Sequence, residues 1–98
     1  MADEALPPVS VVITCFNLAD FIGEAIESVQ RQDYAGPVEI VVCDDASADS
    51  SRTVIEGYPG VRQVWSDDNQ GVLLATIKGI EASSHELLFF LDGDDVWE

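Results

Sequence analysis

The sequence predicts an open, Rossmann-like parallel α/β sheet, and three observations carry that prediction. Apolar runs of strand length alternate with segments of helical period, in the order βαβαβαβ. The connections are short, so each helix serves as a crossover between parallel strands. The opening run is β-branched and nearly continuous, as in a strand buried on both faces. Right-handed crossovers place helices on both faces of such a sheet. A strand order of 3-2-1-4 makes the first strand central.

Each element has its own signals. Residues 1–8 read as a flexible leader ending in Pro7-Pro8, and residues 9–98 as one folded unit. Val9–Phe16 is the first strand. Asn17–Gln32 reads as a helix whose apolar set is Phe21, Ile22, Ala25, Ile26 and Val29, with Asp20, Glu24 and Glu27 on the wet side. Negative charge in its first turns suits the helix dipole. Asp33-Tyr34-Ala35-Gly36-Pro37 stops it. Val38–Cys43 is the second strand. The polar loop Asp44–Ser50 offers Asp49 or Ser50 as an N-cap for a short helix over Ser51–Glu56. Gly57-Tyr58-Pro59-Gly60 ends that helix, and Val61–Trp65 is a weaker third strand. After the loop Asp67–Gly71, Val72–Ala82 is a helix with Val72, Leu73, Ala75, Ile77 and Ile80 available for burial. Glu86–Leu91 is the fourth strand, followed at once by Asp92-Gly93-Asp94-Asp95.

Composition excludes several functions. The 98 residues carry 19 acidic and 4 basic side chains, a formal charge of −15. Arg31, Arg52, Arg62 and Lys78 cannot build the basic stripe that nucleic acid requires, and an anionic membrane surface would repel the chain. A hydrophobic fraction of 47% is too high for a disordered chain. No apolar run approaches the ~20 residues of a membrane span. The start of the chain lacks the basic region of a signal peptide. Cys15 and Cys43 each sit inside an apolar run and read as buried free thiols, which suits the cytosol. Abundant acid with scarce lysine also fits salt adaptation, so the melting temperature is expected to rise in molar salt.

Ligands of open α/β sheets bind outside the carboxyl ends of the strands, at the switch in strand order. Three polar clusters fall there: Thr14–Asn17 after strand one, Asp44-Asp45 after strand two, and Asp92, Asp94 and Asp95 after strand four. In the 3-2-1-4 order they line one rim. Two unit charges ~4 Å apart repel by ~1 kcal/mol in water and by about 4 kcal/mol at an effective dielectric of 20. Five carboxylates on one rim therefore invite a cation, and all-oxygen ligands suit Mg²⁺, Mn²⁺ or Ca²⁺. The plainer reading makes Asp44-Asp45 a turn and N-cap group. Other motifs are absent: no Gly-x-Gly-x-x-Gly follows the first strand, and there is no P-loop. Asp45, Ser47, Asp49 and Glu56 match four calcium-loop positions, but Ser50 replaces the required Gly and a strand precedes the loop. His85, the single His, reads as a loop or cap residue, and Lys78 and Arg62 as solvated surface.

Four blocks in order resemble family 2 glycosyltransferases of the GT-A fold. They are Ser10–Asn17, Val38–Ser50 with its Asp-Asp-x-Ser-x-Asp loop, Asn69-Gln70-Gly71 with Ala75 and Gly79, and Phe90–Trp97 with a DxD signature. The resemblance spans Val9 to Trp97. It implies transfer of a sugar from a nucleotide-diphosphate donor, commonly a UDP-sugar, to an acceptor hydroxyl. It places Thr14, Asn17, Asp44 and Asp45 on the nucleotide rim, with Asp44 hydrogen-bonded to the base. Asp92 would face the ribose or the metal, and Asp94 would hold Mn²⁺ or Mg²⁺ on the diphosphate. The family often carries Arg-Asn after the position of Ala75, where this chain has Thr76-Ile77. Lys78 is an unsuitable stand-in, because each residue along a helix turns the side chain by about 100°.

The resemblance also implies that residues 9–98 are the nucleotide-diphosphosugar-binding half of a longer domain. The acceptor site and catalytic base would lie in the other half, so the expectation is donor binding without turnover, and no catalytic residue within these 98. An open edge on strand four would then favour self-association. Asp92-Gly93-Asp94-Asp95-Val96 also resembles the first motif of Mg²⁺-dependent phosphatases of the haloacid-dehalogenase type, with Asp92 as nucleophile. That motif usually follows a domain's first strand. A non-catalytic binding or structural fragment is the third reading.

Overall fold

The computed structural model describes residues 6–97. It contains β1 (Val9–Cys15), α1 (Ile22–Gln30), β2 (Val38–Asp44), α2 (Ser51–Glu56), β3 (Arg62–Trp65), α3 (Val72–Ala82) and β4 (Leu87–Asp92). The four strands form one parallel sheet in the order β3-β2-β1-β4. The order and direction expected from the sequence are thus observed. Residues 1–5 of the expected leader lie outside the described residues. Residues 6–8 carry no regular structure, and the Tyr34 hydroxyl donates to the Pro7 carbonyl.

Strand β1 is central because it can be buried on both sides. Six of its seven residues are buried, including Ser10, whose hydroxyl donates to Glu39 Oε1 at 2.7 Å. One side of the sheet packs Val11, Ile13 and Val42 against Ile22 and Ile26 of α1 and Ile55 of α2. The other side packs Val12, Val41 and Cys43 against Ala75 of α3. This split follows from the chain path. Strands β1 to β3 step in one direction with both helices on one face, and the return to β4 carries α3 over the other face.

Two expectations about helix burial are corrected. The first helix begins at Ile22, not Asn17, and Phe21 is 51% exposed. Asn17 adopts a left-handed φ of 54°, and the N–H groups of residues 17–19 are taken by the β2–α2 loop instead of a helical turn. In α3 only Ala75 and Gly79 are buried, while Val72, Leu73, Ile77 and Ile80 are exposed. The reason is the close approach of Gly79 to the sheet. A Cβ there would lie 2.4 Å from Val12 Cγ1 and 2.8 Å from Cys43 Sγ. Small residues set the contact line, and the large aliphatic ones fall on the flanks.

Candidate functional site

The strand order reverses between β1 and β4, and a cleft of about 510 Å³ opens there at the carboxyl ends. Its walls include Thr14 near the end of β1 with Phe16 and Leu18 just after it, Asp45 after β2, Asn69 and Gly71 before α3, and Asp92 at the end of β4 with Gly93 and Asp94 after it. The structure therefore brings together four of the six residues expected at the site: Thr14, Asp45, Asp92 and Asp94. Asn17 and Asp44 do not line it.

Asp44 lies beneath the rim with its side chain 0% exposed. Its Oδ2 accepts from the Ser47 N–H at 3.0 Å and from Arg52 Nε at 3.1 Å. Its Oδ1 accepts from the Ser47 hydroxyl at 2.5 Å. Arg52 also donates to the Ser66 carbonyl at 2.8 Å, and its guanidinium carbon sits 4.9 Å from the Trp65 ring centroid. Neighbouring Asp45 points the other way. Its two oxygens accept from the backbone N–H groups of Gln70 and Gly71 at 2.9 and 2.8 Å. That pair of bonds holds the β3–α3 loop, whose Gly71 has a φ of 94° that glycine accommodates without strain. Each carboxylate oxygen of Asp45 retains a lone pair for a ligand.

The opposite wall is built differently. The ligand atoms of Asp92, Asp94 and Asp95 lie within 4.8 Å of one another, and all three residues are exposed. Among the described residues this is the group of ligating side chains that converges. The turn carrying it is tied down by backbone alone: Gly93 N–H donates to the Thr14 carbonyl at 2.8 Å, and Asp95 N–H to the Asp92 carbonyl at 2.9 Å. Glycine is required at 93, because a Cβ would lie 2.6 Å from the Thr14 carbonyl oxygen. Asp92 and Asp94 line the cleft, and Asp92 and Asp95 also line a neighbouring hollow with Val96. Three clustered oxygen donors without nitrogen or sulfur fit Mn²⁺ or Mg²⁺.

The remaining candidates are elsewhere. The calcium-loop set is dispersed: Asp45 turns to the β3–α3 loop, while Ser47 and Asp49 bind the backbone of residues 17 and 19. Asp49 Oδ1 accepts from the Ser51 N–H and hydroxyl, and these bonds, the hydroxyl's first, hold its carboxyl below the usual range. Lys78 donates to the Ser66 hydroxyl at 2.9 Å, away from the cleft. Burial pushes the Cys15 and Cys43 thiols up to about 11; both are buried free thiols, as expected, and Cys15 lies at the floor of the cleft. Sequence reasoning missed Arg52. Its signal was faint: a single basic residue eight positions after Asp44 on a six-residue helix.

Fold and site together define an open α/β domain with a carboxylate-lined cleft at its switch point. The chain belongs to glycosyl transferase family 2, whose family model matches residues 10–98. It is 39% identical over 94 residues to an uncharacterized glycosyltransferase, alr2836, of Nostoc sp., covering 92% of this chain and 29% of that protein. It is 30% identical to the putative teichuronic acid biosynthesis glycosyltransferase TuaG of Bacillus subtilis, covering 94% and 38%. Among solved structures, S. aureus TarS 1-349 in complex with UDP-GlcNAc superposes with a TM-score of 0.80 at 26% identity, covering 91% of this chain and 27% of that one. The mannosyltransferase PcManGT of Pyrobaculum calidifontis, in complex with GDP-Man and Mn²⁺, gives 0.80 at 25%, covering 96% and 31%. The chain spans 26% to 38% of the length of three curated relatives that it matches. Membership in this family displaces the phosphatase reading of Asp92.

Proposed function

We propose that this chain forms the donor side of a glycosyltransferase site, binding a nucleotide-diphosphate sugar, with UDP as the nucleotide. Thr14 and Asp45 face the nucleotide, while Asp92 and Asp94 hold Mn²⁺ or Mg²⁺ on the diphosphate. The observation that carries this reading is the charge of the cleft. Asp45, Asp92 and Asp94 line it, and none of Arg31, Arg52, Arg62 and Lys78 does. A diphosphate would meet like charge on two walls, so a cation must come with it. When bound, the metal offsets the negative charge that grows on the departing diphosphate. The chain's own residues orient the donor, and the backbone around Thr14 and Gly93 keeps the two walls in register. The UDP-GlcNAc complex of TarS and the GDP-Man and Mn²⁺ complex of PcManGT support the ligand class.

The test is a thermal-shift titration of the chain with UDP and GDP, with and without Mn²⁺. At a ligand concentration 100 times Kd, binding adds about 2.7 kcal/mol of stability. A shift with UDP only when Mn²⁺ is present is expected. Silence toward both nucleotides at all metal concentrations would overturn the reading. These 98 residues bind the donor without completing transfer; sugar transfer by the purified chain would overturn that. No helix among the described residues is long and apolar enough to cross a membrane. The free thiols of Cys15 and Cys43 support a reducing, cytosolic setting. Strand β4 has an open outer edge, which supports self-association; a monomer mass by light scattering at high concentration would remove that part.

A further inference from the structure

We infer that Asn17 and Asp44 are positioning residues of the donor site, members of a hydrogen-bonded clasp that joins the β1–α1 loop to the β2–α2 loop. The inference rests on the donor-site reading above and changes the role of two residues that the sequence motif places against the nucleotide.

The clasp is reciprocal. The backbone N–H groups of Asn17, Leu18 and Ala19 donate to Ser47 Oγ at 2.9 Å, Ser51 Oγ at 3.0 Å and Asp49 Oδ2 at 3.1 Å. In return Asn17 Oδ1 accepts from the Ala48 N–H at 2.7 Å and from the Asp49 N–H at 3.4 Å. Three consecutive amides ahead of α1 are thus satisfied by two side chains of the β2–α2 loop and by Ser51, the first residue of α2. The left-handed φ of Asn17 aims its amide oxygen at that loop. Asparagine tolerates this backbone well, so the residue type answers two demands.

Asp44 anchors the clasp from below. It accepts from both the Ser47 N–H and the Ser47 hydroxyl, which leaves the Ser47 oxygen to take the Asn17 N–H. A side chain that is 0% exposed and holds three donors has no face for a ligand. The next residue but one, Ala46, has a left-handed φ of 64°. Asp44 lies under the rim, and Asp45 lines the cleft. The loop thus sets two cleft walls: the Thr14–Leu18 segment at the foot of the clasp, and Asp45 with the Gln70-Gly71 turn that it holds.

Two substitutions in the full chain separate positioning from contact. Asn17→Ala removes the accepting oxygen, whereas Asn17→Asp keeps an acceptor and removes the amide donor. Loss of two accepted bonds weakens UDP affinity in Mn²⁺ about tenfold for Asn17→Ala. Asn17→Asp restores affinity to within about twofold of the unaltered chain, a change of under ~0.5 kcal/mol. Hydrogen exchange without nucleotide reads the clasp directly: Ala48 and Asp49 amides lose protection in Asn17→Ala and keep it in Asn17→Asp. If the Asn17 amide donated to the diphosphate, Asn17→Asp would bind UDP worse than Asn17→Ala, because it adds a negative charge. That order, or unchanged Ala48 protection in Asn17→Ala, would overturn the inference. Failure of the unaltered chain to bind UDP would count against the donor-site reading alone. The exchange measurement, made without ligand, decides the clasp in either case.

Discussion

The two walls of the cleft hold similar residues and use them in opposite ways. On the β2 side, Asp44, Asp45 and Asp49 are bound by Ser47, Ser51, Arg52 and five backbone N–H groups. On the β4 side, Asp92, Asp94 and Asp95 lie exposed, and the bonds that hold their turn run between backbone groups. A carboxylate engaged by protein donors builds structure, whereas clustered carboxylates left open leave charge for a cation to meet. One wall is thus a scaffold and the other a receptor for charge. Substitutions on the two sides should separate accordingly, stability on one and metal-dependent binding on the other.

The sharpest way to break this contrast is Asp94→Ala. Loss of a supporting residue at a metal site commonly costs 10–100-fold, so loss of a direct ligand should weaken Mn²⁺-dependent UDP binding by at least about a hundredfold. The melting temperature should hold or rise slightly, because one of three mutually repelling charges is gone. Calorimetric titration with a parallel thermal melt checks both. A large fall in melting temperature would show that the β4 turn is also a scaffold.

Asp44→Ala is the mirror experiment. It strands Arg52 beneath the rim and frees the Ser47 N–H and hydroxyl. Breaking a wholly buried pair costs 3–5 kcal/mol. Arg52 is 39% exposed, so solvent recovers part of this, and a loss of about 2 kcal/mol is expected in urea unfolding. Asp44→Asn should recover only part of it, since an amide nitrogen facing the Ser47 or Arg52 donors is a mismatch. A smaller effect of the opposite sign is expected for Ala46→Gly. The left-handed backbone costs an L-residue roughly 1–2 kcal/mol. The added freedom of glycine in the unfolded chain returns about 0.4–1 kcal/mol of that. A net gain of about 0.5–1 kcal/mol is expected, with UDP affinity unchanged.

The sheet was readable from the sequence because its signals are local. Continuous β-branched runs, a polar loop after each strand and helices between them leave few arrangements, and the order β3-β2-β1-β4 is one of them. The acidic turn at the end of β4 was readable for the same reason, as three acidic residues and a glycine directly after Phe89-Phe90-Leu91. Which of Asp44 and Asp45 faces the cleft was not readable. That choice goes with the left-handed backbone at Ala46 and the Arg52 partner of Asp44, neither of which leaves a pattern in composition or period. The start of α1 was missed because the apolar spacing continues through Phe21, while the amides before it are bound by a loop 30 residues away. Burial of α3 was misjudged because hydropathy favours Leu73 and Ile77, whereas close packing is set by Ala75 and Gly79.

The smallest expected effect concerns acid. The Ser51 hydroxyl, followed by the backbone N–H groups of Ser51 and Ala19, holds the Asp49 carboxyl below its ordinary value of 3.8. A group whose folded pKa is depressed adds stability above its unfolded pKa and loses it as pH falls through the folded value. The contribution of Asp49 is therefore complete near neutral pH and is lost progressively as pH falls below about 3.8. Asp49 is exposed, so solvent screens most of the gain and the effect is slight. Glu39, at the other end of the sheet, adds a slope of the same sign. Burial acts to raise its pKa, but donation from the Ser84 N–H and the Ser10 and Ser84 hydroxyls outweighs it and brings the carboxyl below 4.5. The two are separated by substitution. In Asp49→Asn the stability curve should flatten slightly between about pH 4 and pH 2, with Ala19 amide protection reduced at all pH values. An unchanged acid slope with intact Ala19 protection would show that Asp49 is not part of the scaffold wall, and the contrast would then rest on Asp44 and Asp45 alone.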